Sequence, residues 1–138
     1  MFDTDSEFDQ RVRRRLAEEW IIWLTTIDSQ GRPQPRPVWF LWDGQTFLIY
    51  SRSGTFKLKH IKANPQVSLH LDGDGKGGNI IIFSGEALVE ENPSPASKVA
   101  DYVAKYQEGF QRINMTAAQF AEAYSTAIRV TPTKLRGH

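Results

Sequence analysis

Closely spaced strand-forming segments constrain the fold of this chain more than any other feature. Residues 20–27, 33–42 and 46–50 are dense in β-branched and aromatic side chains. The residues between them, DSQG at 28–31 and DG at 43–44, are short and typical of turns. Strands joined by such short connections pair antiparallel, because a parallel pair needs a crossover of a dozen residues or more. The first half of the chain therefore predicts an antiparallel sheet.

Three more strand segments follow downstream. Apolar and polar residues alternate over 67–71, which is the pattern of a half-buried strand. Residues 80–89 predict a long strand in which Gly85 indicates a bulge or a close backbone approach. Residues 127–130 predict a last short strand before Pro132. Six strands in a domain of this size cannot all find partners in a flat sheet, so we expect a six-stranded antiparallel barrel.

Helical patterns flank these strands. Phe8, Val12 and Leu16 form one stripe of an N-terminal helix, and residues 56–63 predict a short helix that ends before a proline. Two further helices are predicted between the fifth and sixth strands, the second with capping-box spacing at its start. No internal repeat or linker interrupts the pattern. The sequence therefore predicts an α+β fold in a single domain spanning residues 1–138.

Composition excludes several classes of function. The 17 basic and 16 acidic residues leave a net charge of +1, which gives no long-range attraction for nucleic acid. The chain has no cysteine, so disulfides, thiolate metal sites and thiol nucleophiles are excluded. Its three histidines lack metal-ligand spacing, and we expect no metal site. No signal peptide or bilayer-spanning apolar stretch is visible, and these absences predict a cytoplasmic protein without membrane contact.

Prolines stand at every second position of the second strand segment, at Pro33, Pro35 and Pro37. Successive N–H groups of a strand point to opposite sides, so this spacing removes hydrogen-bond donors from one side only. The pattern is typical of an edge strand protected against aggregation. It equally predicts a binding edge, in which the N–H groups of Arg36 and Val38 on the other side stay available. The sequence leaves both interpretations open.

A run of hydroxyls, glycine and cations separates the third strand segment from the short helix. It comprises Ser51, Arg52, Ser53, Gly54, Thr55, Lys57 and Lys59. A helix N-terminus offers unpaired N–H groups and a partial positive charge, and the cations add full charges. Phosphate is the natural ligand for that set, and the alternative is a capped, solvated helix start. The loop is not of the Walker type, because the Gly-Lys-Ser/Thr ending is missing.

These two features, in this order, resemble the pyridoxamine 5'-phosphate oxidase-like split barrels. Residues 31–44 are similar to the second strand and hairpin of that family. Tyr50-Ser51, then Lys57, then residues 60–69 are similar to its cofactor-phosphate loop and following helix. The resemblance extends over residues 10–136 and is greatest to the short branch of deazaflavin-dependent oxidoreductases. It implies the FMN-binding type of split β-barrel.

The resemblance also implies where a cofactor binds. Members of the family are homodimers with two cofactors in clefts between the subunits, and the partner's glycine-rich loop, near residues 77–79, is expected to close each site. The cofactor ring is expected along the backbone of Pro37, Val38, Trp39 and Phe40. The remaining cofactor contacts are expected from the loop and the strand before it, at Tyr50, Ser51, Arg52, Ser53, Thr55 and Lys57.

The function implied by the resemblance is that of an oxidoreductase using FMN or the deazaflavin coenzyme F-420. Such a cofactor transfers hydride to or from a small conjugated substrate, and the sequence identifies no catalytic acid or base. One alternative is a non-catalytic protein that stores or carries the cofactor. Another is a haem-binding relative with His60 and His70 as candidate ligands. Oxidation of pyridoxamine phosphate is not expected, because the family's Arg-x-Val-x-Leu-Lys strand corresponds to residues 36–41 here, and Leu41 stands at the position of the lysine.

Overall fold

The computed structural model describes residues 1–138 as a curled antiparallel sheet of seven strands with four α-helices. The strands are β1 (Ile21–Ile27), β2 (Pro33–Trp39), β3 (Leu41–Trp42), β4 (Phe47–Ser51), β5 (Gln66–His70), β6 (Ile81–Val89) and β7 (Thr126–Gly137). The helices are α1 (Glu7–Glu18), α2 (Phe56–Ala63), α3 (Ala100–Arg112) and α4 (Ala117–Ala123). The predicted α+β split barrel is confirmed.

The order of the strands forces the sheet to curl. Hydrogen-bonded neighbours follow the order β2-β1-β5-β6-β7-β4-β3, so β2 and β3 lie at opposite ends. These two strands are joined in the chain by a single residue, Phe40. The ends of the sheet must therefore meet at Phe40. Beyond that point β2 contacts β4 without pairing with it, and the barrel is split along this line.

The segment 33–42, predicted as one strand, is divided at Phe40, which raises the number of strands to seven. The Tyr106 hydroxyl accepts a hydrogen bond from the Phe40 backbone N–H at 2.7 Å. The Phe40 carbonyl lies 2.9 Å from the same hydroxyl and accepts from Lys105 Nζ at 2.9 Å. Because α3 supplies these partners, the backbone can leave the ladder at Phe40 without losing its hydrogen bonds.

A bulge lies where β6 pairs with β7, as Gly85 indicates in the sequence. Ser84 pairs with Lys134 while Gly85 pairs with Pro132, which leaves one extra residue on β7. A Cβ atom at Gly85 would lie 2.8 Å from the Thr131 carbonyl oxygen, so only glycine fits there. The prediction that the last strand ends before Pro132 is wrong. Because the bulge accommodates a residue without an N–H, β7 continues to residue 137.

Two apolar cores lie on opposite sides of β4, whose five residues are all buried. The larger core fills the barrel, with α1 and α2 contributing to it. The smaller core lies between the sheet and the helices α3 and α4, and contains the fully buried Tyr102 and Tyr106. No helix in the structure is both long and apolar enough to span a membrane.

Candidate functional site

A cleft of about 360 Å³ opens at the split of the barrel, beside β2, the end of β4 and the loop before α2. We call it the first cleft. Eight of the ten residues predicted to bind a cofactor line it, although they come from two separate parts of the chain, 37–39 and 50–57. They are Pro37, Val38, Trp39, Tyr50, Ser51, Arg52, Thr55 and Lys57.

The loop between β4 and α2 turns sharply enough to bring a strand end against a helix start. Gly54 has φ +75, a left-handed conformation that favours glycine. Thr55 then takes the N-cap position of α2, and its side chain makes no capping hydrogen bond to the helix. Instead, Thr55 Oγ1 lies 3.1 Å from the Oγ of the buried Ser51. The first-turn N–H groups of α2 therefore have no side-chain cap.

A second cleft, of about 570 Å³, adjoins the first. The two share Pro37, Val38, Thr55 and Lys57, which we call the junction. The second cleft is mostly polar and adds the residues Thr26, Asp28, Gln34, Arg36, Gly54, Phe56 and His60. Both clefts therefore open beside the N-terminal end of α2.

Positive charge faces the junction without a paired carboxylate. Lys57 and Arg36 form no salt bridge, and the Arg36 guanidinium donates only to the Pro35 carbonyl, at 3.0 Å. Burial, and then the positive charge of Arg36, lowers the pKa of Lys57 below its usual value. Asp28 is the one carboxylate in the lining of the second cleft, and it already accepts hydrogen bonds from its own hairpin. An anion at the junction would offset the repulsion between the two cations.

The backbone donors of β2 point away from the split. The N–H of Asp28 donates to the Arg32 carbonyl at 2.9 Å, which makes these two residues a hydrogen-bonded pair at the end of the hairpin. Such pairs alternate with non-bonded pairs along an antiparallel ladder, so Arg36 and Val38 belong to bonded pairs with β1. Their N–H groups are used within the sheet. The structure thus excludes the interpretation in which these groups are free for a ligand.

The opposite edge of β2 is the one that borders the split. Pro33, Pro35 and Pro37 occupy the non-bonded pairs with β1, so their carbonyl oxygens face outward with no N–H beside them. Trp39 occupies the next non-bonded pair and keeps its N–H. It is therefore the one β2 residue that offers a backbone donor at this edge.

An aromatic stack forms a wall of the first cleft. The Trp39 ring lies 4.4 Å from the Tyr106 ring and 5.4 Å from the Phe120 ring, both nearly parallel to it. Phe120 stacks in turn on Tyr124 at 4.4 Å, and the Arg52 guanidinium carbon lies 4.7 Å from the Tyr124 ring centre. The side chains of β2, α3, α4 and the loop thus form one continuous surface.

Sequence reasoning missed four residues of the first cleft: Ile21, Ile113, Phe120 and Tyr124. Phe120 and Tyr124 are four residues apart, a spacing that places both on one face of the second of the two predicted helices, but nothing in the sequence shows what that face contacts. The Arg36 side chain of the second cleft was missed too, and His60 was named only as a candidate haem ligand. For Arg36 a signal existed, because it is two residues from Val38 and so shares its side of the strand.

Two predicted cofactor contacts lie outside both clefts. Phe40 is 0% exposed in the barrel core, and its backbone N–H and carbonyl are bound by α3. The expected contact with a cofactor ring is therefore wrong for Phe40. Ser53 is an exposed residue of the loop and lines neither cleft. The remaining eight predicted residues are those that the fold brings together.

The histidines named as candidate haem ligands lie in different surroundings. His60 lines the second cleft, with Nδ1 2.9 Å from Thr26 Oγ1. His70 stacks on Trp23 and lines neither cleft. No three histidine or acidic side chains of the chain converge as metal ligands would. The glycine-rich segment 72–79 is fixed at both ends by Arg15, which donates to the carbonyls of Asp72 and Asn79.

Curated proteins include relatives of this chain. A pyridoxine/pyridoxamine 5'-phosphate oxidase from Pseudoalteromonas translucida is 27% identical over 112 residues, which cover 80% of this chain and 50% of the relative. The chain thus spans about half the length of that protein.

Solved structures share the fold at low sequence identity. A candidate pyridoxamine 5'-phosphate oxidase from Listeria innocua superimposes with a TM-score of 0.70 at 22% identity, covering 94% of this chain and 97% of the other. An F-420 reductase superimposes with a TM-score of 0.65 at 24% identity, covering 90% of this chain and 94% of the other. The heme storage protein HutZ of Vibrio cholerae superimposes with a TM-score of 0.68 at 16% identity, covering 96% of this chain and 95% of the other. At these identities the structures establish a common fold.

A family model described as pyridoxamine 5'-phosphate oxidase matches residues 8–138. This match includes both strands beside the split, the loop before α2 and the helices behind the aromatic wall. The chain therefore belongs to the pyridoxamine 5'-phosphate oxidase family.

Proposed function

We propose that this protein is an oxidoreductase that binds a flavin-type cofactor, FMN or coenzyme F-420, in the first cleft. The cofactor phosphate is bound at the junction, and the ring extends along the edge of β2 toward Trp39. The protein acts as a homodimer in which the partner's segment near residues 77–79 closes the cleft. Its substrate is a small conjugated molecule.

The observation that carries this proposal is a pair of cations, Lys57 in the junction and Arg36 beside it in the second cleft. Lys57 and Arg36 face the same space without a carboxylate, beside the uncapped start of α2. A phosphate there accepts from the free N–H groups of the first turn and from both cations. Ser51 and Thr55 add two hydroxyls within the same lining. These donors fit a phosphate monoester.

The rest of the first cleft fits a flat ring. Its far wall is aromatic or aliphatic, and a volume of about 360 Å³ lies at the lower end of the range for small-molecule sites. The Trp39 N–H is available at the β2 edge for an acceptor atom of the ring. A donor there would stabilise negative charge that develops on the ring.

The chain itself contributes binding and orientation rather than proton transfer in the first cleft. No aspartate, glutamate or histidine lines it. A flavin or deazaflavin supplies the hydride chemistry when it is bound. Lys57 and Arg36 fix one end of the ligand, and Trp39 with Phe120 excludes water from the other end.

The comparisons support this proposal at the level of the family. One structure with the same fold is an F-420 reductase. The curated oxidase relative is twice as long as the matched region, so its whole activity does not follow for this chain. The lysine of the family's Arg-x-Val-x-Leu-Lys strand is also missing here, because Leu41 stands at that position. We therefore propose a substrate other than pyridoxamine phosphate.

A titration of the purified protein with FMN and with coenzyme F-420, followed by fluorescence, tests the proposal. Lys57→Gln should weaken binding by about 1.5–3 kcal/mol, because a charge-assisted bond to phosphate is lost. Lys59→Gln is the matched control, since Lys59 is on the same helix, exposed, and outside both clefts. Failure of both cofactors to bind at micromolar concentrations, or equal effects of the two variants, would contradict the proposed site.

Two further measurements separate the enzyme from a carrier and test the dimer. Reoxidation of the bound reduced cofactor by a panel of conjugated acceptors shows turnover, whereas a carrier binds the cofactor without accelerating its reoxidation. Light scattering at the concentrations used for binding should give twice the monomer mass. A monomer that binds the cofactor as tightly as the dimer would show that the partner subunit does not contribute to the site.

A further inference from the structure

The part of the first cleft away from the junction has a lining of its own. Ile21, Ile113, Phe120 and Tyr124 line the first cleft but not the second. All four side chains are aliphatic or aromatic, so this part of the cleft would bind the flat, apolar surface of a ligand. Since the cations of the junction serve the phosphate, a second molecule placed beside the ring would contact this end.

Arg52 is the cation that belongs to this end. Its guanidinium carbon lies 4.7 Å from the Tyr124 ring, and Arg52 lines the first cleft but not the second. Its side chain makes no hydrogen bond and no salt bridge within the chain. A guanidinium presents its donors in a planar fork that matches a carboxylate. Arg52 is thus placed to bind an acid whose flat body lies along Tyr124 and Phe120.

Ile113 has the exposure expected of a residue that a ligand covers. It follows the last residue of α3 and is 41% exposed, one of four large apolar side chains in the chain with such exposure. Asn114 next to it has φ 55, and this turn begins the short connection from α3 to α4 beside the cleft. A planar ligand between Ile113 and the aromatic wall would remove this apolar surface from water.

We propose that Ile113, Phe120, Tyr124 and Arg52 form the substrate subsite, and that the substrate is a flat conjugated carboxylate. This inference rests on the proposed function, because it places the substrate beside the cofactor ring. The faces of Phe120 and Tyr124 are covered by Trp39, by each other and by Arg52, so the conjugated body contacts the exposed Ile113 and the edges of these two rings. Arg52 binds the carboxylate and so selects an acid over a neutral molecule of the same shape.

The test compares two probes of equal shape, trans-cinnamate and trans-cinnamamide, whose dissociation constants are measured by ligand-observed NMR. Wild-type protein should bind cinnamate more tightly than the amide. Arg52→Gln should raise the Kd of cinnamate about tenfold and leave that of cinnamamide within about twofold. Ile113→Ser should weaken both probes, whereas Leu88→Ser, which alters an exposed residue outside both clefts, should weaken neither.

The FMN titration distinguishes this subsite from the cofactor site. Arg52→Gln should leave the Kd of FMN unchanged, while Lys57→Gln raises it and leaves cinnamate binding unchanged. Equal loss of FMN affinity in both variants would assign Arg52 to the phosphate and overturn the subsite. Equal binding of the two probes to wild type would also overturn it. If neither FMN nor coenzyme F-420 binds wild type while cinnamate binding still depends on Arg52, the proposed function fails and the carboxylate subsite stands.

Discussion

The substitution Tyr106→Phe removes one buried hydroxyl and tests whether that hydroxyl stabilises the backbone at Phe40, between β2 and β3. The Tyr106 hydroxyl accepts from the Phe40 N–H at 2.7 Å and lies 2.6 Å from the Trp20 carbonyl oxygen, to which it can donate. Phenylalanine keeps the ring that stacks on Trp39 and removes only these bonds. The Phe40 carbonyl keeps Lys105 as a donor, whereas the buried Phe40 N–H loses its partner and the Trp20 carbonyl loses the hydroxyl donor.

The expected loss of stability follows from that orphaned donor. A buried N–H without a partner costs about 1–3 kcal/mol, and a lost hydrogen bond about 0.5–1.5 kcal/mol. The two terms overlap, because part of the bond's contribution is the satisfaction of that N–H. We therefore expect the free energy of unfolding to fall by about 2–3 kcal/mol, measured as a lower midpoint in urea at an unchanged slope.

Tyr102→Phe is the matched control, because it removes an equally buried hydroxyl from the same helix. Both tyrosines are 0% exposed, but the Tyr102 hydroxyl has no hydrogen-bond partner. Its removal should leave stability unchanged or raise it slightly, since a buried unsatisfied hydroxyl is itself unfavourable. Equal effects of the two variants, or a loss below about 0.5 kcal/mol in Tyr106→Phe, would refute the assignment of this hydroxyl as the partner of Phe40.

Two other perturbations probe the bulge and the buried ionisable groups. Gly85→Ala should lower the free energy of unfolding by about 1–3 kcal/mol, because its Cβ would meet the Thr131 carbonyl; unchanged stability in urea would contradict this. Burial lowers the pKa of Lys105 to about 8, so stability should rise with pH between about 8 and 10 as the folded state releases this proton first. Above about pH 10 stability should fall, because burial raises the pKa of Tyr102 and Tyr106 and the unfolded chain ionises first. Urea midpoints from pH 7 to 11 check both trends, and Lys105→Met should remove most of the rise, with the lowered pKa of Lys57 accounting for the remainder.

The grouping of hydroxyls and a cation at the start of α2 was predictable because these residues are close in sequence. Hydroxyls at Ser51 and Thr55 and a cation at Lys57 fall between a strand end and a helix start, and that local order fixes their proximity. The aromatic wall was not predictable in the same way. Phe120 and Tyr124 reach the cleft only because α4 docks against Trp39, and this contact depends on tertiary packing.

The number of strands and the end of β7 likewise could not be predicted from local sequence patterns. Nothing local distinguishes Phe40 from its apolar neighbours, and the break there depends on Tyr106, 66 residues away in the chain. Pro132 is a local signal for a strand end, but the bulge opposite Gly85 accommodates it. In both places a distant partner satisfies or replaces a backbone hydrogen bond, which a sequence pattern cannot show.

The alternating prolines explain why the barrel has a cleft at all. A strand can extend a ladder only on a side that carries donors, so β1 must pair with the side of Arg36 and Val38, and the side of Pro33, Pro35 and Pro37 must face β4. With its N–H groups missing there, β2 cannot pair with β4, and the sheet stays open along this line. The prolines therefore protect the edge that faces the split, whereas the N–H groups of Arg36 and Val38 are used by β1 and are not available to a ligand. The same missing donors that prevent closure of the barrel create the space that the junction cations and the aromatic wall surround.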